Sequence, residues 1–107
     1  MNNVTLVLKR VFEDDKYGSI SSMVKVCQSI GEAKRAVLKE LNEGFELECG
    51  SFAECAAVLR EGGIDADFND GSGEYPDSFI FTWQDNGKGE EFNIVEIDLE
   101  NPEYQYL

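Results

Sequence analysis

The 107 residues predict a single α+β domain, a mainly antiparallel sheet of about four to five strands with two helices on one face, in the order ββα(β)αβββ. Three observations lead there. Short runs rich in β-branched and aromatic residues, most of them alternating with polar ones, recur along the chain and read as half-buried strands. Two Ser-x-x-Glu boxes, Ser29–Glu32 and Ser51–Glu54, each open a stretch whose apolar residues recur at helical spacing. An Asn-Gly pair at 86–87 lies between two apolar runs, the strongest short-range signal for a hairpin.

In order, Val4 to Phe12 forms the first predicted strand and Ile20 to Cys27 the second, joined by the polar loop 13–18 as a hairpin. A helix runs from the first box to about Glu43, with Ile30, Ala33, Val37 and Leu41 on one stripe and Gly44 placed to end it in the left-handed conformation. Phe45, Leu47 and Cys49 alternate with Glu46 and Glu48, a possible short strand. Phe52, Cys55, Ala56 and Leu59 mark the second helix, stopped by Gly62-Gly63. Ile64, Ala66 and Phe68 alternate with Asp65, Asp67 and Asn69 in a third strand, followed by a turn-rich loop over 70–76. Ser78 to Gln84 puts Phe79, Phe81 and Trp83 on one face, and Glu91 to Leu99 returns as the last strand.

The register of that hairpin has two solutions. A two-residue turn sets Phe81 against Phe92 and leaves Val95, Ile97 and Leu99 on the opposite face; a bulge or longer loop shifts them. The domain spans 1–100, and residues 101–107 (NPEYQYL) form a frayed tail.

Composition narrows the function. Seven Phe, four Tyr and one Trp are enough for a core, and acidic disordered chains are poor in such residues. Cys27, Cys49 and Cys55 have no paired spacing and the chain has no histidine, so the thiols are expected reduced and buried, and a zinc site is not expected. No apolar window is long enough for a membrane span and no secretory leader is visible, which predicts a cytoplasmic protein. Serine, cysteine and metal hydrolase arrangements lack their histidine, and Gly71-Ser72-Gly73 is too short and too acid-flanked to cradle phosphate. The expectation is a protein that is not an enzyme and needs no cofactor.

Charge is the informative feature. The net charge is −13, yet residues 1–44 carry seven Lys/Arg against six Asp/Glu, while residues 45–107 carry two against sixteen. Such a chain does not bind nucleic acid or anionic lipid directly, since both need Lys and Arg. Concentrating the acids in one half costs self-repulsion that interspersed charges avoid. The stretch 64–77 holds Asp65, Asp67, Asp70, Glu74 and Asp77 without a base, and Glu96, Asp98 and Glu100 alternate along the last strand. Carboxylates at every second strand position lie ~6.6–6.8 Å apart, the length scale of a phosphate row. These eight acids are the predicted surface for a basic partner.

A second reading of the same stretch is a calcium or magnesium module on Asp65, Asp67, Asn69 and Asp77, although glycine falls one position late for a calcium loop. A third is a plain interaction or assembly subunit using Tyr75, Tyr104 and Tyr106.

A compact, strongly acidic, histidine-free domain of this size resembles the small proteins with which phages and mobile elements counter host defences, the anti-CRISPR and anti-restriction proteins of the DNA-mimic type. The resemblance lies in the composition of residues 45–107, and no motif carries functional positions across. It implies an inhibitor or decoy that occupies the basic nucleic-acid groove of a host nuclease or another nucleic-acid-binding protein, in the cytoplasm of a bacterial host.

Overall fold

The computed structural model describes residues 3–13, 19–69 and 79–98. They form β1 (Asn3–Glu13), β2 (Ser19–Cys27), α1 (Ile30–Phe45), α2 (Phe52–Glu61), β3 (Asp65–Asn69), β4 (Ile80–Asp85) and β5 (Lys88–Asp98). The five strands make one antiparallel sheet in the order β2-β1-β5-β4-β3. Chain order and sheet order differ in one respect: β5 enters the middle, so the two hairpins at either end are joined through it.

Both helices pack on the same face. That face carries Val7 of β1, Phe92 and Ile94 of β5, Phe79 just before β4, Phe81 within it, and Ala66 of β3, all buried with Ala33, Val37, Leu41, Cys55, Ala56 and Leu59 from the helices. The predicted helical stripes are therefore the buried ones, except that Ile30 and Phe52, at their starts, are only half-buried. Burying a side chain the size of Phe or Leu contributes ~1.5–3 kcal/mol, so this cluster supplies most of the driving force for folding. Among the described residues no helix covers the second face of the sheet.

Helix starts follow the boxes closely. Ser29 Oγ accepts the Glu32 amide at 3.1 Å, and Ser51 Oγ accepts the Glu54 amide at 3.1 Å. Each glutamate, however, reaches one residue further back than a capping box predicts, to the amides of Gln28 and Gly50, both at 2.9 Å.

Three expectations are corrected. Gly44 does not end α1; the helix runs on to Phe45, and Glu46 takes the left-handed conformation at φ 57°. The extra residues bring Phe45 onto Trp83, edge to face with centroids 5.0 Å apart, and that contact outweighs the local preference of glycine for the terminus. Residues 47–49 do not form a strand. The Asn42 side chain takes both polar groups of Cys49 instead, with Nδ2 donating to its carbonyl at 3.0 Å and Oδ1 accepting its amide at 2.9 Å. One side-chain amide thus does the work of a neighbouring strand. Finally, the last strand starts at Lys88, three residues earlier than the sequence predicts.

The hairpin register takes the two-residue solution. Asn86 and Gly87 have φ of 54° and 80°, both positive as a type I′ turn demands, and Phe81 pairs with Phe92. Val95 and Ile97 consequently lie on the sheet face away from the helices, opposite Leu6 and Val4 of β1. A bulge does occur, but in the other hairpin: the β1–β2 register shifts between Val7 and Leu8, which leaves Val24 as the extra residue.

Candidate functional site

The acidic stretch begins at the free end of the sheet. β3 pairs only with β4, and α2 packs beside it. Because Ala66 and Phe68 turn inward to the core, Asp65, Asp67 and Asn69 share the open face, directly opposite Gln84, Thr82 and Ile80. Asp65 is exposed and has no ion pair among the described residues. Asp67 is 90% exposed and lies 3.7 Å from Arg60. At that exposure the pair is worth well under 1 kcal/mol. A shallow polar depression of ≈290 Å³, lined by Asp65, Asp67 and the neighbouring strand residues Thr82 and Gln84, runs along this edge.

The other predicted acids divide into two groups. Asp70, Glu74, Asp77 and Glu100 lie outside the described residues, as do Tyr75, Tyr104 and Tyr106. Glu96 is exposed, and alternation along β5 sets it on the same side as Phe92 and Ile94, the helix face. Backbone register puts Asp98 opposite Asn3. The row on β3 and Glu96 of β5 therefore do not share one face of the sheet. The spacing read from sequence is sound for each row, but the parity of two strands separated by β4 depends on pairing that the rows themselves do not encode.

The early bases claim some later acids. Lys9 Nζ lies 3.3 Å from Glu90 and 3.9 Å from Glu40, and Arg10 lies 3.1 Å from Glu91. Glu90 also accepts the Trp83 indole N–H at 3.0 Å, so its two oxygens bridge β1 to β4 beneath the end of α1. These contacts sit near the β1–β5 seam. In sequence, residues 45–69, which include α2 and β3, hold six acids (Glu46, Glu48, Glu54, Glu61, Asp65 and Asp67) and one base, Arg60, while Lys34 and Arg35 of α1 stand beside Phe68 on the helix side.

Arg60 is a residue that sequence reasoning passed over. Its Nε donates to the Ala66 carbonyl at 2.8 Å, closing part of the outer edge of β3 while its far end meets Asp67. An edge strand presents unpaired backbone groups, and a cation on that edge discourages another strand from pairing there. Its position as the lone base in a long acidic run is the signal that could have found it.

The cation module has little local support. Asp65, Asp67 and Asn69 lie along a regular strand, where alternate side chains are ~6.6–6.8 Å apart, whereas calcium ligands converge at ~2.3–2.6 Å on one ion. Among the described residues no group of three or more His, Cys, Asp or Glu could hold a metal. Asp77 lies outside them.

The cysteines are core residues. All three are free and buried, and burial together with the neighbouring Cys49 pushes the Cys55 thiol up to about 11. Such a thiol stays protonated at neutral pH and is a poor nucleophile. Glu32 moves the other way: its bond from the Gln28 amide and the nearby Lys25 hold its carboxyl below the usual range. No helix among the described residues is long and apolar enough to cross a membrane.

Searches of protein-family models, of curated proteins and of solved structures return no significant match to the chain.

Proposed function

We propose that the protein is a non-enzymatic acidic inhibitor or decoy whose β3 edge binds the basic nucleic-acid groove of a nuclease or another nucleic-acid-binding protein. The observation that carries this reading is the run of six acids and one base over residues 45–69, with exposed Asp65 and Asp67 side by side on the open face of the edge strand β3. Asp70, Glu74 and Asp77 follow Asn69 in sequence and add three acids without a base. Glu96, Asp98 and Glu100 form a second, separate contact. A partner steered by such a field associates fast, and its affinity falls steeply with salt.

Affinity capture from a bacterial lysate, at low and at half-molar salt with mass spectrometry of the eluate, tests it. The reading expects basic nucleic-acid-binding proteins at low salt only, and loss of capture when Asp65, Asp67 and Asp70 are changed to Lys. Reversing Glu96 and Asp98 should weaken capture less. Unchanged capture by the triple variant ends the idea.

A second reading is a plain protein-interaction subunit that uses the open sheet face. It is favoured by Val26 and Val95, 52% and 37% exposed, on the face that no described helix covers. Capture that survives half-molar salt and the triple reversal, but not Val26→Asp with Val95→Asp, selects it.

A further inference from the structure

A groove of ≈300 Å³ opens between the first half of α1 and the start of α2, on the helix side and away from the Asp65–Asp67 edge. Its walls are mostly apolar: Leu38 from α1, Phe52 and Ala53 from α2, and Phe68 from β3. Lys34 and Arg35 stand on the α1 wall. The Lys34 ammonium lies 6.0 Å from the centroid of the Phe79 ring.

Most of the described cations are already paired. Acids outnumber bases 22 to 9. Lys9, Arg10, Lys25, Lys39 and Arg60 each have a carboxylate within 4.0 Å; among the described residues Lys34, Arg35 and Lys88 do not, and of these three Lys34 and Arg35 line the groove. Two neighbouring cations with no carboxylate in salt-bridge reach, although Glu32 lies within the field of Arg35, stand beside an apolar groove and have a definite complement: an apolar body and one negative charge. The charge belongs on the α1 wall. At the start of α2, Ser51 Oγ accepts the Glu54 amide and the Glu54 carboxylate accepts the Gly50 amide, and that carboxylate repels an anion.

We infer that this groove binds a small aryl or alkyl carboxylate, with its hydrocarbon against Phe52, Phe68 and Leu38 and its carboxylate between Lys34 and Arg35. The volume holds one ring with a short chain. Charge-assisted hydrogen bonds from the two cations are about twice as strong as neutral ones, so the carboxylate decides affinity and the groove decides shape.

The test titrates 3-phenylpropionate and its uncharged amide into ¹⁵N-labelled protein at low salt. The expected result is saturable shifts at the Leu38, Ala53 and Phe68 amides, with the acid binding at least ten-fold more tightly than the amide. Lys34→Gln with Arg35→Gln should bring the acid down to the level of the amide, with the thermal midpoint held. Ala53→Leu, which fills the groove, should remove binding of both. Equal binding of acid and amide, shifts confined to other residues, no binding of either, or indifference to both variants overturns the site. Capture by the acidic edge is scored separately, so either result stands without the other.

Discussion

The two ends of the sheet are built alike and charged differently. At the β2–β1 end, α1 lies over the strands, the core is aliphatic (Val7, Ala33, Val37, Leu41), and Lys9, Arg10, Lys25 and Lys39 all meet acids. At the β3–β4 end, α2 lies over the strands and the core is aromatic. Phe52 packs on Phe79 at 5.0 Å and on Phe81 at 5.9 Å, and Phe68 stacks on Phe81 at 6.1 Å. The surface there carries Asp65 and Asp67 with Arg60 on the open side, and Lys34 and Arg35 on the helix side. The difference teaches that the acidic end is held from inside. Its surface charges repel, and the larger apolar area of the ring cluster offsets that repulsion.

The sharpest way to break this comparison is to remove a ring. Phe81→Ala should cost about 4 kcal/mol, against about 2 kcal/mol for Val37→Ala at the other end. Thermal or urea unfolding of the two variants gives the ratio; equal losses would show that the two cores carry equal shares.

Gly89 lies on the seam between the ends, where β5 passes between β1 and β4. A Cβ there would run into the Trp83 carbonyl and the Phe12 ring, and backbone cannot move aside as a side chain can. Gly89→Ala should therefore cost about 3 kcal/mol. A lowered unfolding midpoint with an unchanged m-value is the expected outcome.

Two smaller effects sharpen the contrast. Glu46 carries the left-handed C-cap, so Glu46→Gly should stabilise the protein by about 0.5–1 kcal/mol, read as a raised thermal midpoint. Asp65→Asn with Asp67→Asn should stabilise it by a few tenths of a kcal/mol at low salt and by nothing at half-molar salt, because the repulsion removed is a screened one.

The acid side of the pH profile belongs to the paired end. The folded pKa of Glu32 is depressed, so its contribution is present above the unfolded carboxylate pKa and is lost as pH falls through the lower folded value. Glu32→Gln should flatten that limb in acid unfolding. Cys55 works on the alkaline side. Its folded pKa is raised from 9.0 to about 11, so stability is intact below pH 9 and declines as pH rises between the two values.

Much of this was written locally. The Ser29 and Ser51 caps, the two buried helical stripes, the Asn86-Gly87 turn and the inward Ala66–Phe68 alternation are decided within a few residues by periodicity and backbone preference, so the sequence alone determines the α+β class and two hairpins. The acidic half is equally legible, because charge is a property of composition.

What needed the tertiary structure was every matter of who faces whom. Gly44 lost the helix end to Glu46 because Phe45 had Trp83 to meet, and residues 47–49 lost their strand to the side chain of Asn42. The side taken by Glu96 relative to Asp65 was settled by the register of β5 against β4, and the neutralisation of Glu90 and Glu91 by the pairing of β1 with β5. Side-chain direction in a strand repeats every two residues, so a row of carboxylates can be read from its own segment. Which rows share a face is set by long-range pairing, and no local pattern contains it.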